Sequence, residues 1–583
     1  MLAAVKPILP AYAFRCRASL ISCARWGVGA CVWRDAFEIR EIDLFGRLGR
    51  LYTRRGVVET PTLTPVINPS KPVVEPQQIQ RMGYQLLMTN SYIIYRSYGD
   101  LAKEVGVHGI LGVDGPVFTD SGAYQLMIYG KVEVKPLEIV EYQVEIGSDI
   151  GVVLDIPTRR DTPYDQARLE VEETLRRVRE ALSLDLKGML LVAPVQGGTH
   201  IPLVAYAARE LAELPAGMYA VGGPTQLMQE YDFKELVRLV MTARLNLPWA
   251  APLHLFGAGH PLMLPLAVAM GVDTFDSASY ALYSRDERLM TPYGTLRLSE
   301  VEELPCSCPV CSKHSAKELK EMPRQERIRL IAEHNLYVLL EELRRIREAI
   351  REGRLWELLE SRACAHPSMM EALREYVRYS RFIATKHPVT RFPVRGVFFA
   401  SRLSRYRPEV VRHHERLKYR VERTRDIFLL FEETPQKPFT RAGLIKELML
   451  QDTDIFRMSD AAVLSYPFSL IPLELDGVYP LSQYEASRNV FELAMDEIAA
   501  DVLWYILNKG YKGVVLVYYT LPERFVRKLS ESLAAEEVLF LGIGVENYQE
   551  ALSNPKPLAA RIRAALETLH DLTRDRQAAP APA

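Results

Sequence analysis

The feature that most constrains this chain is a short apolar run, met again and again, that stops on an aspartate or a glycine. From about residue 37 to 290, "GPVFTDSGAYQL" reaches Asp120 and "DIGVVLDIPT" stops on Asp155. "GMLLVAPVQGG" ends on Gln196 before Gly197 and Gly198, and "GMYAVGG" ends on Gly222 and Gly223. "PLHLFGAGHP" ends on Gly257 and Gly259, and "GVDTFDSASY" on Asp276. Between them lie "YDQARLEVEETLRRVREAL", "PLVAYAARELAEL", "FKELVRLVMTARL" and "PLMLPLAVAMG", with apolar residues at the three- and four-residue spacing of a helix. This alternation predicts a parallel β/α fold. Strands that each deliver a polar group or a glycine pair at the carboxyl end are how a (β/α)8 barrel builds an active face. The competing open doubly wound sheet has a characteristic G-x-G-x-x-G turn, which is not evident. The expected class is therefore α/β, a (β/α)8 TIM barrel; the cysteines, the family resemblance and the C-terminal third, taken up below, add a zinc-binding insert and smaller α+β accessory domains.

Each aspartate alone could cap a helix or close a turn. Three of them at the ends of apolar strands point to chemistry, because charged groups are seldom buried without a task.

The stretch "CSCPVC" places Cys306, Cys308 and Cys311 within six positions of a chain with 7 cysteines. Neighbouring thiols in odd number pair badly as disulfides, whereas Zn²⁺ takes sulfur and imidazole donors from one short loop. His314 is near, but the turn would have to double back within three residues. His334 lies on an amphipathic helix with Leu330, Ile331, Tyr337 and Val338 and can fold back on the loop. Cys306, Cys308, Cys311 and His334 form a closed Cys₃His set, so one structural zinc per chain is expected. A catalytic zinc of the deaminase kind needs an H-x-E signature; the one present, His413-His414-Glu415, lies in a different region.

At 583 residues the chain exceeds one core. The domains expected are 1–36, an extension excluded from the fold and disordered; 37–365, the barrel with its zinc site at about 300–350; and 366–583, an accessory RNA-binding region. The first segment carries no acid before Asp35 and resembles a targeting peptide in composition; an upstream extension without structure is preferred. A formal net charge of −1 means that a nucleic-acid partner must be drawn by a local patch. The scattered Cys16, Cys23, Cys31 and Cys364 suggest a reducing compartment. No apolar run reaches the roughly 18 residues of a membrane span, so a cytoplasmic location without membrane contact is expected.

"VFTDSGAYQLM", "LDIPT", "HLFGAGHP", "FDSASYALYSRDERLMTPYGT" and "PCSCPVCSK" together resemble the archaeal tRNA-guanine transglycosylase family over residues 37 to 360. The resemblance implies a zinc-bearing TIM barrel that exchanges guanine at position 15 of tRNA for 7-cyano-7-deazaguanine (preQ0), toward archaeosine. Such an exchange breaks and remakes one N-glycosidic bond. It calls for one carboxylate on the far face of the ribose and a second carboxyl to protonate the departing base. The motif match assigns Asp276 as nucleophile and Asp120 as general acid/base, although sequence fixes neither one's distance to the anomeric carbon. It gives Asp155 the donors of the guanine edge and Tyr124 the stacking position. Gln196 and the Gly222-Gly223 backbone face the O6 side. The target base must leave its stack before attack. Family members often pair through the zinc region, which makes a homodimer an expectation. Noncatalytic tRNA binding and a queuosine-type exchange at position 34 are the alternatives.

Beyond residue 365 the strip "TRFPVRGVFFASRLSRYRPEVVRHHERLKYRVERTR" is rich in Arg with aromatics interleaved, which suits an RNA backbone. Arg402, Arg405 and Arg412 are the candidate tRNA contacts. "KGVVLVYYTLPERFVRKLSESLAAEEVLFLGIG" predicts a strand–helix–strand unit, and no segment convincingly reads as a PUA module, the small RNA-binding barrel that ends many such proteins.

Overall fold

The computed structural model describes residues 32–123, 135–393, 395–487 and 492–578. Eight parallel strands, Thr62–Pro65, Leu87–Asn90, Val117–Asp120, Ile150–Val152, Leu190–Val195, Met218–Val221, Leu253–Leu255 and Thr274–Ser277, are here called the first to eighth. They neighbour one another in chain order. The eighth pairs with the first at Asp276 and Thr64, and the bridge Val66–Met88 joins the first to the second, so the sheet closes on itself. The (β/α)8 expectation holds.

The strands are short and apolar because both faces are covered; all six residues of Leu190–Val195 are buried. Helix Tyr164–Ala181 buries Ala167, Val171, Leu175 and Val178 and turns its charged residues outward. An antiparallel sheet of Phe37–Asp43, Gly46–Thr53 and Gly56–Thr60 plugs the amino-terminal end of the barrel. Its Phe37, Leu51 and Val58 share one cluster with Met88, Phe118, Ile150, Leu190 and Met218 inside the barrel. Arg47 anchors the plug through Asp273, where its Nε donates to Oδ1 at 3.0 Å. Among the described residues the barrel is therefore closed at its amino-terminal end and open at its carboxyl face.

Two boundaries differ from expectation. Residues 1–31 lie outside the described residues, but Val32–Ala36 is a helical turn whose Ala36 is buried, so order begins before residue 36. The barrel core does not stop at 365. Helices Pro367–Tyr376 and Ser380–Lys386 contribute Leu373, Tyr376 and Ile383 to it, and the Tyr376 hydroxyl donates to the Ala269 carbonyl at 2.7 Å. A polar-looking sequence conceals this, because one apolar stripe per helix suffices to dock.

A second core begins at Val397. Its sheet runs in the order Ser469–Pro472, Asp460–Ser465, Ile427–Glu432, Gly513–Tyr518, Leu539–Gly544. The last four strands are parallel and the first is an antiparallel edge. The region is thus a wound α/β domain, where α+β was expected, and the predicted strand–helix–strand unit forms its far edge. Buried ion pairs join the two bodies: Arg407 Nη1 lies 2.9 Å from Glu357, and His387 sits between Asp43 and Glu409 at 3.3 and 3.5 Å. Among the described residues no helix is long and apolar enough to cross a membrane.

Candidate active site

Side chains of a strand alternate between faces, and the inward alternation that fills the barrel continues directly into its mouth. Met88 is inward, and two residues on so is Asn90; Phe118 leads likewise to Asp120. Val192 leads by two such steps to Gln196, and Ala220 leads to Gly222. Where apolar residues give way to polar ones, a cavity of about 800 Å³ opens, lined among others by Asp120, Asp155, Gln196, Gly222, Gly223 and Asp276.

Three carboxyl groups face this space with different partners. Asp120 Oδ2 accepts from Asn90 Nδ2 at 2.7 Å and from the Gly122 N–H at 3.3 Å. Surrounding protein, then the charges of Asp276 and Asp155, push its carboxyl up to about 7. Asp155 is buried, which pushes it up to about 6, and its Oδ2 accepts from Gln196 Nε2. Gln196 Oε1 accepts the Thr158 N–H at 3.1 Å, so the amide is held at both ends by the loop that follows the fourth strand, and its second Nε2–H meets no acceptor among the described residues. Glycine is required beside it: a Cβ on Gly222 would stand 2.2 Å from Gln196 Nε2.

Asp276 Oδ1 accepts the Gly257 N–H at 2.8 Å and lies 3.1 Å from His254 Nε2. The other ring nitrogen of His254 lies 2.8 Å from Thr274 Oγ1. With Asp276 Oδ1 as the acceptor, Nε2 carries the proton and Nδ1 accepts the threonine hydroxyl. His254 and Asn90 are site residues that sequence reasoning missed. The strand alternation carries the signal, since both occupy inward positions of apolar runs.

Cys306, Cys308, Cys311 and His334 converge with their ligand atoms within 4.8 Å of one another. His334 Nδ1 lies 3.5, 3.5 and 3.3 Å from the three sulfurs, and Cys306 and Cys311 Sγ are 3.6 Å apart. A zinc tetrahedron with bonds of about 2.3 Å to sulfur and about 2.0 Å to nitrogen has edges of ~3.6 Å, so the donor set fits such an ion. His334 Nε2 donates to the Met290 carbonyl at 2.9 Å, which leaves Nδ1 bare toward the thiols. The next residue, Asn335, accepts the Met290 N–H at 2.7 Å and donates to the Arg288 carbonyl at 3.1 Å. The long helix Arg324–Glu352 thereby clamps the strand Arg288–Thr291, whose Arg288 lines the cavity. These cysteines can hold a metal ion that braces one wall of the site.

The sequence profile described as queuine tRNA-ribosyltransferase matches residues 43–368, more than half of the chain. The chain belongs to this family. A Pyrobaculum aerophilum protein named tRNA-guanine(15) transglycosylase is 45% identical over 493 residues, 84% of this chain and 96% of its own length. A relative of that name from Archaeoglobus fulgidus is 48% identical over 485 residues, 83% and 95% of the two chains. One from Methanocaldococcus jannaschii is 42% identical over 460 residues, 77% of this chain and 68% of its own.

For this queuine tRNA-ribosyltransferase relative, the remaining expected contacts fare differently. Tyr124 lies outside the described residues. Arg405 is turned inward, with its side chain 10% exposed against Asp501. Arg412 donates to the carbonyls of Ala384 and His387 at 2.8 and 2.7 Å and so caps the helix Ser380–Lys386. Only Arg402, paired with Glu497, stays largely in solvent, at 59% exposure. Of the three candidate contacts, Arg405 is thus engaged within its own domain and Arg412 against the barrel's helices, which leaves Arg402 facing solvent.

Proposed function

We propose that this chain is a tRNA-guanine(15) transglycosylase that exchanges guanine for preQ0 through a covalent ribosyl intermediate. The observation that carries the reading is Asp120, with a carboxyl near 7, within electrostatic reach of Asp276 in one cavity. A carboxyl raised toward neutrality is set to hand over a proton, and a second carboxyl in the same cavity is placed to act as nucleophile.

With the flipped nucleotide in the cavity, Asp276 attacks the anomeric carbon while Asp120 protonates the departing guanine. The ribose is then held by an ester to Asp276. An incoming preQ0 gives its N9 proton to Asp120 and displaces the carboxylate, with net retention. Asp155 accepts from N1–H and the exocyclic amine, which both bases share, and the free N–H of Gln196 serves O6. His254 keeps the Asp276 carboxylate aimed. The Cys₃His set holds one structural zinc, which when bound fixes the insert against the cavity wall. Pairing through the zinc region and a cytoplasmic location complete the reading.

Incorporation of labelled guanine into unmodified tRNA, with the modified position mapped, is the deciding assay. Label at position 15 that is lost in Asp120→Ala and Asp276→Ala supports the reading; label at position 34, or none, overturns it. A trapped RNA adduct on Asp120 in place of Asp276 would reverse the two roles.

A further inference from the structure

The loop after the sixth barrel strand leads into a short helix, Thr225–Gln229, and then to Tyr231. Tyr231 has φ +59°, in the left-handed region. Its N–H donates to the Met228 carbonyl at 3.2 Å, and the Asp232 N–H donates to that of Leu227 at 2.8 Å. This is the turn that ends a helix, where glycine is the favoured residue because a Cβ is costly there. The chain places a large aromatic instead. Arg160 holds it there, donating to Glu230 at 2.6 Å and to Asp232 at 2.7 Å, one neighbour on each side.

The ring so fixed is not packed away. Tyr231 lines the cavity and is 45% exposed. One face lies against His366, with centroids 4.9 Å apart and planes 33° apart, and Phe233 supports it edge-on at 5.6 Å. His366 is itself fixed, its Nδ1 2.6 Å from Ser368 Oγ at the start of helix Pro367–Tyr376. The result is an aromatic pair at the cavity rim, rigid on its protein side and open on the other. Four cations, Lys71, Arg159, Arg285 and Arg288, line the same cavity.

We infer that Tyr231 is a stacking platform for a nucleobase adjacent to the one drawn into the cavity. Drawing one base out of an RNA stack leaves its neighbour with an uncovered π-face, and an exposed aromatic backed by a second ring replaces that lost contact. The cations lining the cavity suit the phosphates flanking the flipped nucleotide. This inference rests on the proposed tRNA substrate.

Steady-state guanine exchange with Tyr231→Phe, Tyr231→Ala and Tyr231→Gly tests it. The glycine variant matters most, because it removes the ring while relieving the backbone, so a folding defect is not expected and thermal unfolding verifies this. The expected result is a KM for tRNA raised roughly tenfold in the alanine and glycine variants, the range of one base–aromatic stack, with KM for guanine unchanged and Tyr231→Phe near wild type. A tRNA KM within twofold of wild type in Tyr231→Gly overturns the platform, as does a rise confined to the KM for guanine. Wild-type protein that binds tRNA without exchanging guanine would defeat the function reading alone. Fluorescence anisotropy of tRNA binding by Tyr231→Gly then decides the platform by the same tenfold criterion, and unchanged affinity overturns it.

Discussion

His254 Nε2 stands 3.1 Å from Asp276 Oδ1, and its opposite nitrogen stands 2.8 Å from Thr274 Oγ1, so the imidazole links two residues of the eighth strand from within the seventh. The ring is fully buried, which fixes the rotamer of the carboxylate it holds. His254→Ala is expected to lower kcat by about 10²-fold, as a misplaced attacking group does, with little change in KM for tRNA. His254→Gln, which keeps a donor, should recover part of the loss. A KM effect of the same size would mean that the ring supports the cavity as a whole and does not aim Asp276.

On the proposed mechanism, Asp120 is expected to set the pH profile. Its carboxyl, pushed up to about 7 by burial and by Asp276 and Asp155, is protonated below that pH and ready to donate. The kcat/KM for tRNA should therefore fall as pH rises through about 7. Stability follows the same sign. The folded form binds this proton more tightly than the unfolded chain, so native stability decreases between about pH 4 and 7 as pH rises. Asp120→Asn should abolish exchange yet raise the unfolding temperature by a few degrees at pH 8 and less at pH 5.

Gly222 is tested by one methyl group. A Cβ there would meet Gln196 Nε2 at 2.2 Å, and that amide is clamped by Asp155 and Thr158. Gly222→Ala should raise KM for guanine at least 10²-fold, through a displaced amide, while the thermal transition moves by less than in a core mutant. Steady-state exchange at varied guanine measures this, and isothermal titration gives the accompanying change in guanine Kd.

Removal of the metal should act through the wall that it braces. One zinc per chain by elemental analysis is expected, lost in Cys308→Ser. Because His334 and Asn335 hold Met290 and Arg288, chelation should lower the unfolding temperature and weaken exchange together. Exchange that survives full metal loss at unchanged stability would contradict the bracing role.

The arginines divide into two kinds. Arg412→Glu places a carboxylate against the carbonyls of Ala384 and His387, so it should cost several degrees of stability. Arg402→Glu, largely in solvent, should leave stability within about 0.5 kcal/mol of wild type. If Arg402 touches RNA, the same change flattens the salt dependence of tRNA binding by about one unit of slope.

The barrel was legible from the sequence because its period is local. An apolar strand that ends on Asp120 or Gly222 carries its inward alternation into the mouth, and three thiols in six positions leave few alternatives to a metal. Boundaries and surface roles were less legible, because they depend on which residues of distant segments meet. That Tyr376 belongs to the barrel, that Arg405 and Arg412 turn inward and that Asn90 reaches Asp120 depend on packing between elements far apart in the chain. Tyr231 shows the division most plainly. In sequence it is one more tyrosine after a glutamate; only the closed fold brings Arg160 to its two neighbours and His366 to its ring and makes a fixed surface of it. Periodicity within one segment is set by backbone geometry and can be read locally, whereas a side chain's partner across segments exists only once the chain has closed on itself.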